Sequence, residues 1–186
     1  METICVTGVP GTGKTTIAKK LAKKLNYYYV DVNKLISKYK LSEGYDRKRK
    51  TKIVDVEELN KFLINQIKQF KKNKKIKGVI IDSHLSHYLP KSYVDLCIVT
   101  KCSIKELNKR LKKKKFHKEK IKENLEAEIF DTCLNEALER KHKIFVVDTS
   151  KISKKFSGYS ESKILKATKG FNMSYAAKKL GWLDVS

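Results

Sequence analysis

Residues 8–16, GVPGTGKTT, constrain this chain more than any other stretch. The spacing Gly8-x4-Gly13-Lys14-Thr15 follows a short apolar run, ETICVTG. It opens a segment, TTIAKKLAKKL, in which Ile17, Leu21 and Leu25 recur at helical spacing with lysines opposite. A loop placed between strand and helix in this way presents successive backbone N–H groups to phosphate oxygens at a helix N-terminus. Glycines at 8, 11 and 13 permit dihedrals and approaches that a β-carbon would obstruct. Lys14 is expected at the outer phosphates of a nucleoside triphosphate, and the Thr15 hydroxyl on Mg²⁺. The pattern leaves open where the terminal phosphate goes: to water, to a small molecule or to another nucleotide.

The remaining chain reads as an alternation of strands and helices. NYYYVDV is a second strand ending near Asp31, residues 56–72 an amphipathic helix, and KGVIIDS a third strand. YVDLCIVT is a fourth strand, followed by the helix SIKELNKRLKKK. IKENLEAEIFDTCLNEALERK reads as one long helix, and HKIFVVDTS as a fifth strand. This predicts an α/β fold with a five-stranded parallel sheet and helices on both faces. Ligands in such sheets bind beyond the carboxyl ends of the strands, which gathers Gly8, Asp31 and Asp82. Length suggests one domain: a core over residues 1–150 and a Ser/Lys-rich basic appendage over 151–186. The appendage holds the sole tryptophan, Trp182. ATKGFNMSYAAKKLGW begins with helix-turn-helix spacing, but the sequence stops before a full recognition helix, which favours a packed terminal helix pair.

VIIDSH, 79–84, delivers Asp82 beside the loop, where a carboxylate can hold Mg²⁺ directly or through water; the bland alternative is a strand-end cap. His84 could orient an attacking water or sense the transferred phosphate, or be structural. KRLKKKKFHKEK, 109–120, is the densest basic run. It is either a lid whose cations, Arg110 and Lys114 first among them, fold over phosphates, or a solvated lysine face.

The formal net charge is +23, and arginine occurs only at 47, 49, 110 and 140, so lysine carries nearly all of the excess. Such a charge is either a compositional bias or the mark of an RNA or ribonucleoprotein partner. Cys5, Cys97, Cys102 and Cys133 form no C-x-x-C pair and read as thiols of a reducing compartment, with a zinc site the alternative. The start shows no signal segment and no run spans a membrane, so the expectation is a soluble, cytoplasmic protein.

GVPGTGKTT, LSEGYD, VIIDSH, the basic lid and ENLEAEIFDTCLNEA together resemble the adenylate kinase isoenzyme 6 family over about residues 1–150. The resemblance implies the nucleoside-monophosphate-kinase variant of the P-loop NTPase fold, with an acceptor region over 31–54 and a short lid over 113–123. It implies ATP contacts at Gly11, Gly13, Lys14, Thr15 and Thr16, and an AMP region including Asp31, Gly44 and Tyr45. It implies adenylate kinase and ATPase activities on one site, with Mg²⁺. The implied partners are a small-subunit ribosomal protein and pre-rRNA, in maturation of the small ribosomal subunit. Glu123, Glu126, Glu128, Asp131 and Glu136 are the acidic candidates for docking a basic ribosomal protein. Two positions depart from the family pattern: Ser83 stands where a tyrosine is usual between Asp82 and His84, and Lys114 where a lid arginine is usual. An ATPase assembly factor with negligible kinase activity, or a kinase of another small metabolite, are the alternative functions.

Overall fold

The computed structural model describes residues 1–46 and 51–150. The appendage with Trp182, and residues 47–50 of the acceptor region, lie outside the described residues. The chain runs β1 (Glu2–Thr7), α1 (Lys14–Leu25), β2 (Tyr28–Asp31), α2 (Val32–Lys38) and a hairpin of β3 (Gly44–Asp46) with β4 (Thr51–Ile53). It continues with α3 (Val56–Lys72), β5 (Gly78–Asp82), β6 (Leu96–Lys101), α4 (Ile104–Lys113), α5 (Lys118–Ile129), α6 (Thr132–Glu139) and β7 (Ile144–Asp148).

Five of these strands form one sheet in the order β2-β5-β1-β6-β7, every pairing parallel, as the alternation predicts. From β1 the chain crosses to the edge strand β2, returns to β5 between the two, and then passes to the other side of β1 for β6 and β7. Strand β1 is therefore the switch point, and its carboxyl end opens the crevice. Alternate side chains divide between two faces. Ile4, Val6, Ile80 and Ile98 pack on Ile17, Ala18, Leu21 and Ala22 of α1. Cys5, Val79, Ile81, Cys97 and Val99 meet Leu59, Leu63 and Ile67 of α3, with Leu134 and Ala137 of α6. A smaller cluster seats α4 and α5 against the phosphate loop: Leu107, Leu111, Phe116 and Ile121 pack around Val9.

The expected single helix over residues 121–141 is two. Asp131 takes a left-handed φ of 53° between α5 and α6, a conformation Asp tolerates better than most residues. Its carboxylate pairs with Lys101 at the end of β6. One turn earlier the buried Glu128 accepts a 2.8 Å hydrogen bond from the Cys102 backbone N–H. These two anchors break the helix and turn Leu134 and Ala137 onto the core. They also disperse the acidic row: Glu128 faces inward, and Glu136 is held by His87 and Tyr88, so the five acidic residues do not form one docking face. Helix α2 and the β3–β4 hairpin were not expected. All four cysteines are free, three buried and Cys133 half-buried. Among the described residues no helix is long and apolar enough to cross a membrane.

Candidate active site

The phosphate-binding pattern folds as a loop held from below by the sheet. Gly8 has φ 135°, and a β-carbon there would lie 2.4 Å from the Thr100 carbonyl oxygen, so this glycine lets the loop close onto β6. Gly13 has φ 93° and caps α1 without any side-chain hydrogen bond, and its carbonyl accepts from the Thr16 and Ile17 N–H groups at 3.1 and 3.2 Å, so no side chain occupies this end of the helix. Buried threonines fix the loop. The Thr12 hydroxyl lies 2.7 Å from the Val9 carbonyl oxygen and 2.7 Å from the Thr100 hydroxyl, which donates to the Thr7 carbonyl at 3.0 Å. Thr149, just past β7, donates to the Thr12 carbonyl at 2.6 Å. The result is a fixed loop at the N-terminus of α1, a place where backbone N–H groups and the helix dipole suit an anion.

Two cavities meet at Thr15. The first, about 720 Å³, is lined by the loop residues Gly11, Gly13, Lys14, Thr15 and Thr16, and by Lys20, Glu106, Arg110, Lys113 and Lys114. The second, about 570 Å³, is lined by Thr15, Asp31, Asn33, Lys34, Ser37 and Lys38. Every residue expected at the triphosphate thus borders one space. Asp31 borders the other, and also caps α2 by accepting from the Lys34 N–H at 3.2 Å. Gly44 and Tyr45 lie on the hairpin, exposed, and line neither cavity. Arg110 is committed to protein acceptors: Nε donates to Glu106 at 3.0 Å, and the terminal nitrogens to the Thr149 hydroxyl at 3.0 Å and carbonyl at 2.7 Å. Lys114 at the α4–α5 corner, where the lid was expected, lies beside it.

The Lys14 ammonium donates to the Val9 carbonyl at 3.0 Å. Burial first, opposed by Cys133 and Asp82 and aided by Lys114, pushes its pKa down to about 8. A phosphate arriving there replaces lost water with negative charge and restores the ammonium. Asp82, 4% exposed, ends β5 level with Val6 of β1 and Asp31 of β2. The Tyr29 hydroxyl donates to Asp82 Oδ2 at 2.8 Å. Burial and this carboxylate push the phenol's pKa up, with the Thr15 side chain beside it acting weakly the other way. Tyr29 therefore keeps its proton and holds the Oδ2 oxygen of Asp82.

His84 is exposed, two residues beyond Asp82. Crowding by the surrounding atoms first, then the charges of Lys14, His87 and Lys120, push its imidazole down. The ring is neutral at neutral pH. Ser83, in place of the family's tyrosine, is buried and accepts from the Leu85 N–H at 3.0 Å, which turns the chain after β5.

Sequence reasoning passed over Tyr29, Thr100 and Thr149. Only the alternation in NYYYVDV, which sets Tyr29 on the same face as Asp31, pointed towards the first. It also missed a buried row in which His87 Nδ1 lies 2.6 Å from the Thr7 hydroxyl and Nε2 lies 2.9 Å from Glu136.

An AAA-domain family pattern matches residues 4–131. A protein of Methanocaldococcus jannaschii named "Putative adenylate kinase" is 37% identical over 147 residues, covering 79% of this chain and 76% of its own. One of the same name from Methanosarcina acetivorans is 35% identical over 185 residues, covering 97% of each chain. Among solved structures, a deoxyadenosine kinase from M. mycoides with bound dATP superposes with a TM-score of 0.54 at 18% identity, over 91% of this chain and all of that one. A shikimate kinase from Bacteroides thetaiotaomicron gives 0.51 at 14% identity, over 91% and 99%. At these identities the structural likeness shows the fold, that of the P-loop kinases.

Proposed function

The chain belongs to the AAA-domain, adenylate kinase-like family of these archaeal proteins, and from that premise we propose that it is a nucleotide kinase transferring the terminal phosphoryl group of ATP to AMP. The observation that carries this reading is the pair of cavities sharing Thr15. A hydrolase needs one nucleotide pocket and a water; a transferase needs a second, polar pocket abutting the phosphate end of the first. The second pocket offers Lys34, Lys38, Asn33 and Ser37 to an acceptor phosphate and ribose.

Phosphoryl transfer asks the protein mainly for positioning and neutralisation of charge. The loop amides and Lys14 hold the donor's phosphates, Lys113 and Lys114 flank them, and Arg110 braces the cavity wall through Thr149. The Thr15 hydroxyl and the Asp82 carboxylate are hard oxygen donors that fit Mg²⁺, which when bound would neutralise charge on the phosphates. Tyr29 keeps Asp82 oriented for that role.

Hydrolysis at the same site is the second reading, favoured by His84: an exposed, neutral imidazole near Lys14 can orient water. The resemblance extends the proposal to a small-subunit ribosomal protein and pre-rRNA as partners, supported by the charge of +23. The function is tested by following ADP and inorganic phosphate with ATP and Mg²⁺, with and without AMP. Formation of two ADP for each AMP consumed is expected. Phosphate release at a rate indifferent to AMP would overturn transfer in favour of hydrolysis.

A further inference from the structure

We propose that His87, Cys133 and Glu136 form a binding site for a divalent cation of the zinc class, on the inner side of the phosphate loop. Their ligand atoms, an imidazole nitrogen, a sulfur and a carboxylate oxygen, lie within 4.8 Å of one another. Cys133 and Glu136 stand three residues apart on α6 and share a face. His87 comes from the short turn Ser86–Tyr88 that follows β5. Tetrahedral zinc, with donors at roughly 2.0–2.3 Å, sets those donors roughly 3.3–3.7 Å from each other. His87 Nε2 and Glu136 Oε2, 2.9 Å apart, need only a small opening to admit the ion.

Each donor is already aimed by a second group, the arrangement that orients metal ligands. The Thr7 hydroxyl lies 2.6 Å from His87 Nδ1 and has the His84 carbonyl at 3.4 Å to donate to, so it can accept the Nδ1 proton while Nε2 turns to a metal. Tyr88 donates to Glu136 Oε1 at 2.8 Å, which leaves Oε2. The Gly8 backbone N–H is directed at the Cys133 sulfur. His87 is buried, whereas Cys133 is half-buried and Glu136 is 32% exposed, so the ion enters from their side and a water completes its coordination. On binding, the Cys133 thiol releases one proton to solvent, the imidazole keeps its proton on Nδ1, and Glu136 binds as carboxylate.

A thiolate, an imidazole and a carboxylate together select zinc over magnesium, which separates this site from the oxygen pair Thr15 and Asp82. Because Thr7 and Gly8 lead into the phosphate loop, the ion would pin the base of that loop to α6. The site stands independently of which reaction the loop serves.

The test is a titration of the full chain with Zn²⁺ against a chromophoric chelator, and with Co²⁺ followed by absorption. One equivalent is expected to bind, with a sulfur-to-cobalt charge-transfer band. Cys133→Ser should abolish the band, and Cys133→Ser and Glu136→Gln should each weaken zinc binding by about tenfold or more. Cys102→Ser, a buried thiol elsewhere, should change neither. If Cys133→Ser does not fold, the band in the unmodified chain and the Glu136→Gln titration decide. Binding of less than one equivalent, a band that survives Cys133→Ser, or zinc affinity unmoved by Glu136→Gln overturns the site.

Discussion

Lys14 carries a testable sign. Its pKa in the free loop is pushed down to about 8, first by burial, and bound phosphate must raise it. A lysine pKa depressed by folding costs stability at neutral pH, and that cost is relieved as pH rises from about 8 towards the ordinary lysine value of 10.5. Ligand binding has the opposite dependence: ATP affinity should hold below pH 8 and fall above it, by at most about tenfold per pH unit. Calorimetric titration across that range checks this, and an affinity flat to about pH 10 contradicts it. Lys14→Ala should lower kcat/KM by about a hundredfold or more, since a charge aimed at the transferring phosphate is lost. Tyr29→Phe removes a charge-assisted hydrogen bond of about 1.5–3 kcal/mol from Asp82. It should raise the Mg²⁺ concentration for half-maximal rate about tenfold; an unchanged Mg²⁺ profile with unchanged melting would mean that the phenol is only a packing group. His84→Ala should cut ATP hydrolysis by about a hundredfold while phosphoryl transfer stays within a few fold, and equal losses in both would deny it the water-orienting role.

At the scale of elements, the loop depends on β6 as much as on its own glycines. Gly8→Ala drives a β-carbon to within 2.4 Å of the Thr100 carbonyl and keeps a φ that alanine rarely adopts. It should destabilise the fold by about 3 kcal/mol or more in urea melts, and a loss within about 0.5 kcal/mol would show that the loop relaxes freely. Lys14, Thr15 and Asp82 are legible in the sequence because a fixed spacing and a strand end place them without any knowledge of tertiary structure. The helix over 56–72 is legible because Leu59, Leu63 and Ile67 repeat every four residues between an Asp55 cap and a lysine-rich end. Tyr29 and Thr149 are illegible for the opposite reason. Tyr29 reaches Asp82 only because β2 pairs with β5, and Thr149 reaches Thr12 only because β7 ends beside the loop. Neither neighbourhood is written in a local pattern. The break at Asp131 escaped the helical pattern because its causes, Lys101 and the Cys102 amide, lie about 30 residues away in sequence.

Over the whole molecule, the switch point at β1 gathers the carboxyl ends of β1, β2 and β5 into one crevice, and the lysine excess surrounds it with positive potential. If that charge engages RNA, binding must weaken steeply with salt through counterion release, giving a negative slope of log affinity against log salt of several units. A filter-binding series in rising salt reads it, and absence of binding at low salt would leave the charge a solvated surface. The relation between the two cavities is what separates transfer from hydrolysis. The most direct measurement is calorimetric binding of a bisubstrate ligand, two adenosines joined through a phosphate chain long enough to span Thr15. If the two cavities hold donor and acceptor, one ligand binds per chain, is displaced by ATP and also by AMP, and is weakened both by Lys14→Ala and by Lys34→Glu on the opposite side. Displacement by ATP alone, with Lys34→Glu without effect, would contradict that arrangement.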